Sequence, residues 1–457
     1  MTREQQKINC PIVGAQVILF AYGILLFLPK DNWSVEWAYG FCFISKIARW
    51  AYFSLMTIFL LFLPQISDGI LKILNNALKF FCKFKPWMGV VLAGIIFWFL
   101  RSKTIYGDGY GTIYNLTQGE HFNWKEPLDR FFTSSVYQLA GPFGLSPQNA
   151  IAWVSVGAGL VWVAWVIRFV RGEYTAVLER LLSAGILLTP GIMQLFCGNI
   201  ENYSLLAAGV LVYLVESLRY LRGKSHYGVP CFILGLVACV HLSAAWLLPT
   251  LAMLLLNAPT GARFSLKGKY KNLAQGVCAL MAPFAFTLML GIYSVGSVYD
   301  LNFKTFGGGD GKCWKPLFVT DGPFEKFALI SWAHVLALGN QLLLIAGVSF
   351  LLLPFLWWIA GRQKKIFSPQ NLFLGSCLLF AIAYIVIFNP DMAGGRPGIL
   401  NEWDLFSLPA VPAVVWVAHL IFSMPTTPQR NRLALQAVGL SLISTFVWVL
   451  WNAQKVG

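Results

Sequence analysis

Charged residues are scarce in this sequence. Asp, Glu, Lys and Arg make up 12% of the 457 residues, whereas 57% are hydrophobic. Water-soluble domains carry roughly a quarter of charged residues, so an ordinary soluble domain is excluded. Apolar segments of about 20 residues recur along the whole chain, and each can cross a hydrocarbon core of ~30 Å as a helix. The sequence therefore predicts an all-α, polytopic membrane protein.

Cysteine pairs and repeated motifs are also missing. The nine cysteines are scattered and form no C-x-x-C pair, which excludes a disulfide framework and a zinc-finger site. The sequence has no tandem repeat and no low-complexity segment. Acidic residues are few, 19 against 34 basic ones, which leaves a net charge of +15. In a membrane protein this excess is typical of cytoplasmic loops that face anionic lipid, so we expect membrane lipid and no nucleic acid as a partner.

Thirteen apolar segments qualify as membrane helices when hydropathy is averaged over about 19 residues. The two segments that flank His241 are short, so they predict either a tight hairpin or one broken helix, and twelve or thirteen spans in total. The segments lie near 12–29, 47–64, 87–101, 148–170, 177–196, 202–221, 227–241, 242–257, 273–295, 341–360, 370–389, 405–423 and 433–451.

Basic residues concentrate on one side when these spans are threaded alternately through a bilayer. That side holds most of the Lys and Arg but few of the Asp and Glu, in the N-terminus and in loops such as KILNNALKFFCKFK and ARFSLKGKYK. Positive charge in short loops marks the cytoplasmic face. We therefore expect a cytoplasmic N-terminus and extracytoplasmic loops at 102–147, 197–201, 296–340 and 390–404.

Three parts of the chain are predicted from this pattern. Residues 1–86 form a pair of membrane helices with a basic cytoplasmic loop, residues 87–423 form the central module with the outer loops, and residues 424–457 form a C-terminal membrane helix. In the first long outer loop, LDRFFTSSVYQLAGPFGL has apolar residues at helical spacing. This stretch predicts a helix that lies along the membrane surface.

Acids in the predicted outer loops are the first candidate functional groups. Asp108 in YGDGYG has flanking glycines that let a ligand approach the backbone, and it suits either a general base or a simple Asp-Gly turn. Glu201 in GNIENY stands between two predicted helices, where an acid near hydrocarbon is costly unless it is partnered or functional. It is either a site residue or an ordinary helix cap that faces water. Glu126 in WKEPLDRFF is either a substrate-binding group or, more simply, a helix cap, and Asp129 in the same stretch is interpreted as a cap.

Histidines and lysines near the same predicted face are further candidates. His241 interrupts an apolar segment and is either a structural residue or a site residue. His334 and Asn340 stand at the head of another predicted helix. Lys312 and Lys315 lie in GGGDGKCWKP, whose glycine N–H groups and ammonium groups suit a phosphate, although a solvated loop is the simpler interpretation.

The segment NPDMAGGRPGILNEWDLFSLP contributes the last candidates. Arg396 suits a lipid phosphate, because a guanidinium binds phosphate oxygens in a bidentate manner. Glu402 and Asp404 either bind substrate or cap the helix that follows them.

The chain resembles the GT-C superfamily of multi-pass glycosyltransferases in its architecture over most of its length. Four segments carry the resemblance, namely YGDGYG, GNIENY, HLSAAWLLP and NEWDLFSLP. The resemblance implies that a sugar passes from a polyprenyl-phosphate donor to a glycan, lipid or protein acceptor. It implies transfer on the extracytoplasmic side of a bacterial inner membrane, with the module at 87–423 as the catalytic part.

The resemblance implies that Asp108, the acid of the first large outer loop, binds the acceptor or acts as the base. The other roles are our assignments from the residues themselves. Asp108 and Glu201 are the expected catalytic residues, with Asp108 as the base of an inverting transfer. The other candidates are expected to bind or orient substrate, namely Glu126, His241, His334, Asn340, Lys312, Lys315, Arg396, Glu402 and Asp404. No cofactor is required, although a divalent metal is compatible with the acids. A transporter or flippase of a lipid-linked or anionic substrate, and a polysaccharide polymerase or ligase of another membrane fold, remain alternatives.

Overall fold

The chain is helical in a computed structural model. Within the described residues the only extended pairing is an isolated antiparallel bridge between Trp314 and Phe388, so the all-α prediction is confirmed. The structure describes residues 3–26, 48–81, 85–105, 109–257, 266–295, 314–315, 317–318, 328–388 and 403–454.

Sixteen α-helices lie within the described residues. They are α1 (Arg3–Leu25), α2 (Ala48–Phe62), α3 (Pro64–Phe81), α4 (Pro86–Phe99), α5 (Gly109–Thr117), α6 (Pro127–Ala140), α7 (Pro147–Glu173), α8 (Val177–Leu188), α9 (Tyr203–Leu221), α10 (Gly228–Val240), α11 (Pro249–Leu256), α12 (Leu266–Val295), α13 (Trp332–Arg362), α14 (Pro369–Ile387), α15 (Ala410–Ser423) and α16 (Pro428–Gln454). Short 3₁₀ helices are present at Gly141–Phe143, Gly191–Phe196, Leu242–Leu247 and Leu405–Ser407.

Many of these helices have the length and composition of membrane spans. Seven described helices are long and apolar enough to cross a membrane, or eight if the bent pair α2–α3 is one span. Shorter apolar helical segments add to them at Pro11–Leu25, Pro86–Phe99, Gly228–Val240 and Leu242–Leu256. The prediction of a multi-pass membrane protein is confirmed.

The basic stretch after the second span is a helix, where the sequence analysis predicted a loop. Residues Phe53–Phe62 and Pro64–Ala77 meet at an angle of 92°. Pro64 starts α3, because proline is well tolerated in the first turn of a helix. Ser67 and Leu71 are buried on the inner face of α3, and Arg432 of α16 forms an ion pair with Asp68. The helix is therefore held against the bundle.

The chain reverses direction at His241. The Tyr227 hydroxyl, next to the start of α10, donates a hydrogen bond of 3.1 Å to the backbone carbonyl of Leu251. In one continuous helix these residues would be about 36 Å apart, because each residue adds 1.5 Å. The two short segments on either side of His241 are therefore a hairpin, and the alternative of one broken helix is wrong.

The bundle has two chemically different ends. The end that carries Glu201 and Asp404 is called the site end below. The opposite end, the basic end, carries ion pairs in which an arginine meets a buried or partly buried acid. The pairs are Arg168 with Glu216, Arg222 with Glu173, and Arg430 with Glu179.

Close packing in the middle of the bundle positions the site end. At Gly191 an added Cβ would overlap the carbonyl oxygen of Leu344, so the 3₁₀ helix Gly191–Phe196 lies directly on α13. The α13 backbone departs from helical geometry at Ala346, two residues further on. Residues 197–202, which include Asn199 and Glu201, follow directly from this anchored 3₁₀ helix.

Candidate functional site

The predicted surface helix exists, but its polar face points inward. In α6 the buried residues include Asp129, Arg130, Thr133 and Ser134, whereas Leu139 is 76% exposed. A helix with polar residues toward protein and apolar residues outward suits a position along lipid. Two charged residues of this helix, Asp129 and Arg130, are thereby buried at the site end.

Glu126 faces the centre of the site end. Its side chain makes no capping hydrogen bond to α6, so the capping interpretation is wrong. Its carboxylate instead accepts a hydrogen bond from the Asn202 amide, and it lies 3.8 Å from Nε2 of His241. Burial and the nearby Glu126 charge raise the pKa of Asp129 well above its ordinary value, and Arg130 partly opposes this.

A second acidic group lies around Asp404, which is fully buried. The Asn199 amide donates to its carboxylate at 2.8 Å, and the side chains of Glu201 and Asp404 are hydrogen-bonded to each other. Two carboxyl groups in such contact hold a proton between them, because like charges this close do not both ionise. Burial raises the pKa of Asp404 to about 6, although the hydrogen bonds from Glu201 and Asn199 oppose the shift.

Tyr203 joins the two acidic groups. Its side chain interacts electrostatically with Glu201, Glu126 and Asp404, and its ring lies 5.1 Å from the His241 ring. The three carboxyl groups come from a connecting loop, the start of α6 and the segment before α15. They therefore converge around one phenol at the site end.

The segment that carries Asp404 is held by hydrogen bonds from several directions. Gln341 of α13 donates to the Trp403 carbonyl at 2.5 Å, and the Ser407 hydroxyl donates to the Asp404 carbonyl at 2.6 Å. Asp404 itself accepts from the Leu405 N–H at 3.0 Å, so the predicted capping role of Asp404 is confirmed for the 3₁₀ helix Leu405–Ser407. This capping leaves its other oxygen to Asn199.

Lys315 lies beside this centre. Its ammonium group donates to the carbonyls of Ile385 and Val386 in the last turn of α14, and it lies 5.6 Å from the centroid of the Phe406 ring. Burial lowers the pKa of Lys315 to about 7. Its charge therefore stabilises the carbonyl end of a helix.

His334 and Asn340 both belong to α13 rather than to the outer loop, because this helix starts at Trp332. His334 interacts electrostatically with Lys315, and its Nδ1 lies 3.0 Å from the Leu329 carbonyl. Asn340 is buried one position before Gln341. The predicted outer loop at 296–340 therefore ends earlier than expected.

The structure thus brings Glu126, Glu201, His241 and Asp404 together, and it places Lys315 and His334 beside them. Four predicted site residues lie outside the described residues, namely Asp108, Lys312, Arg396 and Glu402.

Some residues of the site were missed or misjudged in the sequence. Asp129 was interpreted only as a helix cap. Gln341 and Tyr384 lie within apolar segments, and no local pattern distinguishes them from core residues. Only the packing of distant helices shows that they border the site.

Metal binding has little support among the described side chains. No group of three or more His, Cys, Asp or Glu residues in the described ranges has the arrangement of a metal site. His241 and Glu126 lie close to each other, but no third His, Cys, Asp or Glu side chain among the described residues completes a metal site with them.

The fold and the buried acidic centre define a polytopic, all-helical membrane protein with a polar site at one end of its bundle. No family model matches the sequence, and no curated protein matches it either. Solved structures of ArnT from Cupriavidus metallidurans are similar in overall arrangement. The apo structure has a TM-score of 0.48 at 16% identity, and the structure bound to undecaprenyl phosphate has a TM-score of 0.47 at 15% identity. Each comparison covers 80% of this chain and 76% of the other.

Proposed function

We propose that the protein is a membrane glycosyltransferase that moves a sugar from a polyprenyl-phosphate donor to an acceptor hydroxyl. The observation that carries this proposal is the convergence of Glu126, Glu201 and Asp404 around Tyr203. Buried carboxyl groups are expensive within a membrane protein and mark functional positions. Several acids at one end of a helical bundle suit a substrate with many hydroxyl groups, since carboxylates accept hydrogen bonds from hydroxyls.

Gly109 supports the assignment of Asp108 as the base. An added Cβ at Gly109 would lie 2.7 Å from the Ile200 carbonyl oxygen, so this glycine packs against the residue that precedes Glu201. Asp108 directly precedes Gly109 in the sequence. The acid of the first outer loop thus belongs to a segment that reaches the acidic centre.

In the proposed reaction, Asp108 accepts the proton of the acceptor hydroxyl. The hydroxyl oxygen then forms a bond to the anomeric carbon of the donor from the face opposite the phosphate. The bond between this carbon and the phosphate oxygen breaks, and the polyprenyl phosphate leaves with the electron pair. The configuration of the anomeric carbon is therefore inverted.

The remaining candidates have supporting roles in this proposal. Glu201 and His241 orient the substrates, while Glu126 and Asp404 accept hydrogen bonds from sugar hydroxyls. Arg396, with Lys312 or Lys315, stabilises the negative charge that grows on the leaving phosphate. His334, Asn340 and Glu402 are assigned to substrate binding in this proposal.

The proposed orientation places the site end outside the cytoplasm. The opposite end carries Arg168, Arg222 and Arg430. Positive charge of this kind stays on the cytoplasmic side during membrane insertion. The acceptor is therefore expected on the extracytoplasmic side, and the N-terminus in the cytoplasm.

A purified-protein assay tests the proposal. The protein is reconstituted with radiolabelled polyprenyl-phosphate sugars, and release of free polyprenyl phosphate is measured. Release that is lost in Asp108→Asn supports a transferase. Movement of the intact lipid-linked sugar across sealed vesicles, without release of lipid phosphate, would show a transporter or flippase instead.

A further inference from the structure

Aromatic side chains from separate segments line up beside the acidic centre. The ring centroids of Trp314 and Trp246 are 6.0 Å apart, and those of Trp246 and Tyr384 are also 6.0 Å apart. Tyr384 in turn interacts electrostatically with Tyr203. These four residues, called the aromatic row, lead from the surface of the site end to the phenol between the carboxyl groups.

The outer ring of the row is exposed and yet held in place. Trp314 is 54% exposed, but its backbone pairs with Phe388, and the next residue donates its N–H to the Ile387 carbonyl at 3.1 Å. Trp246 is half-buried, whereas Tyr384 is buried. An exposed ring on a fixed backbone loses little freedom when it binds a ligand.

A sugar ring matches this arrangement chemically. One face of a sugar carries C–H groups and packs against an aromatic ring, while its hydroxyl groups need hydrogen-bond partners. Sites for such molecules combine apolar walls with a few fixed polar groups. Here Trp314 and Trp246 supply the aromatic wall, and Glu126, Glu201 and the Tyr203 hydroxyl lie at its inner end.

The charges around the row favour a sugar without a carboxylate. The described charged or titratable side chains near it are Glu126, Asp129, Glu201, Asp404, His241, His334, Arg130 and Lys315. Glu126, Glu201 and Asp404 lie around Tyr203 at the inner end of the row. Even with one proton shared between Glu201 and Asp404, this end carries negative charge, whereas Arg130 donates to the Thr112 carbonyl. A further carboxylate on the ligand would therefore meet like charge, which opposes binding.

We propose that the aromatic row is the subsite for the sugar ring of the lipid-linked donor, and that it accepts a neutral hexose or pentose rather than a uronic acid. The inference rests on the proposed function and specifies its donor. The sugar packs against Trp246 and Trp314. Its anomeric carbon then lies toward Tyr203 and the carboxyl groups.

Equilibrium binding to the reconstituted full chain tests this subsite. The probes are undecaprenyl-phosphate-glucose, undecaprenyl-phosphate-glucuronic acid and undecaprenyl phosphate without a sugar. We expect Trp246→Ala to weaken binding of the glucose lipid by about three- to tenfold, the usual size of an aromatic packing contribution. Binding of the sugar-free lipid should stay unchanged, and Trp246→Phe should retain most of the affinity. Wild-type protein should bind the glucuronic acid lipid more weakly than the glucose lipid.

Trp332→Ala is the matched control, because Trp332 is 73% exposed at the same end but lies outside the row. If Trp246→Ala weakens binding of the glucose lipid and of the sugar-free lipid equally, the subsite is wrong, because the Trp246 ring then contacts the lipid chain or supports the fold. Unchanged binding of the glucose lipid would overturn it as well. If wild-type protein binds none of the three lipids, the proposed function itself is wrong, and the subsite with it.

Discussion

The amide of Asn199 donates a hydrogen bond of 2.8 Å to the carboxylate of Asp404, which lies 205 positions further along the chain. This bond joins the loop before α9 to the segment before α15. Glu201 approaches the same carboxyl group from the loop side. The contacts of Asn199 and Glu201 with Asp404 therefore hold the loop before α9 against the segment before α15.

The buried Asp404 should make stability depend on pH. Burial raises its pKa from 3.8 to about 6, so the folded state binds a proton more tightly than the unfolded state. The resulting stabilisation is fully present below about pH 4 and is lost as the pH rises through about 6. Asp404→Asn should remove this part of the pH dependence, at most about 3 kcal/mol. Thermal unfolding in detergent at pH 4.5 and 7.5 measures it.

Glu120→Gln is the control for this comparison, because Glu120 lies in the first outer loop at the same end. The change in pH dependence caused by Asp404→Asn is measured against the change caused by Glu120→Gln. An Asp404→Asn variant with an unchanged pH dependence would show that this carboxyl group titrates normally in the folded protein.

Asp108→Asn should nearly abolish turnover. Loss of a general base typically lowers a rate by ~10²- to 10⁴-fold, whereas donor binding should persist because the amide has the same shape. Release of polyprenyl phosphate and binding of the donor are measured separately. Asp310→Asn is the matched control, because Asp310 in GGGDGK is also an acid between glycines in a predicted outer loop. This variant should retain activity. Wild-type turnover in Asp108→Asn would remove this acid from the mechanism.

Gly109→Ala should impair activity through position rather than charge. The added methyl would lie 2.7 Å from both the Ile200 carbonyl oxygen and the Ile105 side chain, so the backbone next to Asp108 must shift. A displacement of about 1 Å at a catalytic group costs on the order of 10²-fold in rate. Gly111→Ala, in the same helix with no atom within 4 Å of the added methyl, should be nearly silent. Equal activity of the two variants would argue against a tight contact at Gly109.

Gly191→Ala should destabilise the bundle. The added Cβ would overlap the Leu344 carbonyl and approach Trp448, and overpacking of this kind typically costs about 1–3 kcal/mol or more. Gly157→Ala in α7 has open space around the added methyl and should be neutral or stabilising by up to about 1 kcal/mol. Melting of the two purified variants compares them. Similar melting points would show that the 3₁₀ helix moves away from α13 without cost.

Two arginines in α16 should differ in importance. Arg430 is buried, donates to Glu179 at 2.7 Å and also donates to the Met424 carbonyl at 3.1 Å. Its replacement by Met leaves these partners unpaired and should cost about 3–5 kcal/mol. Arg432→Met breaks only the more exposed pair with Asp68 and should cost less than about 1 kcal/mol. Melting of both variants tests the difference, and the reverse order would contradict the assigned burial.

Local pattern was sufficient for most of the helices. The apolar segment predicted at 370–389 is α14 (Pro369–Ile387), and the one predicted at 202–221 is α9 (Tyr203–Leu221). The ends were less accurate, since α13 starts at Trp332 rather than near 341. Hydropathy does not distinguish a polar stretch that continues a helix from one that forms a loop. The basic helix α3 was interpreted as a loop for the same reason.

The candidate acids were visible in the sequence, but their partners were not. Glu126 looked like a helix cap, because an acid before a helix start is typical of capping. Its carboxylate turns instead to Asn202 and His241, which lie in segments far along the chain. No local rule distinguishes these two outcomes.

The sequence by itself determined that this is an all-helical membrane protein with an excess of basic residues, because hydropathy and charge are properties of each segment alone. Tertiary structure alone decided which polar residues meet around Tyr203, how α6 turns its polar face inward, and where the chain reverses at His241. These features depend on contacts between segments that are far apart in the chain. Their energies come from burial and hydrogen bonds that exist only once the helices have packed.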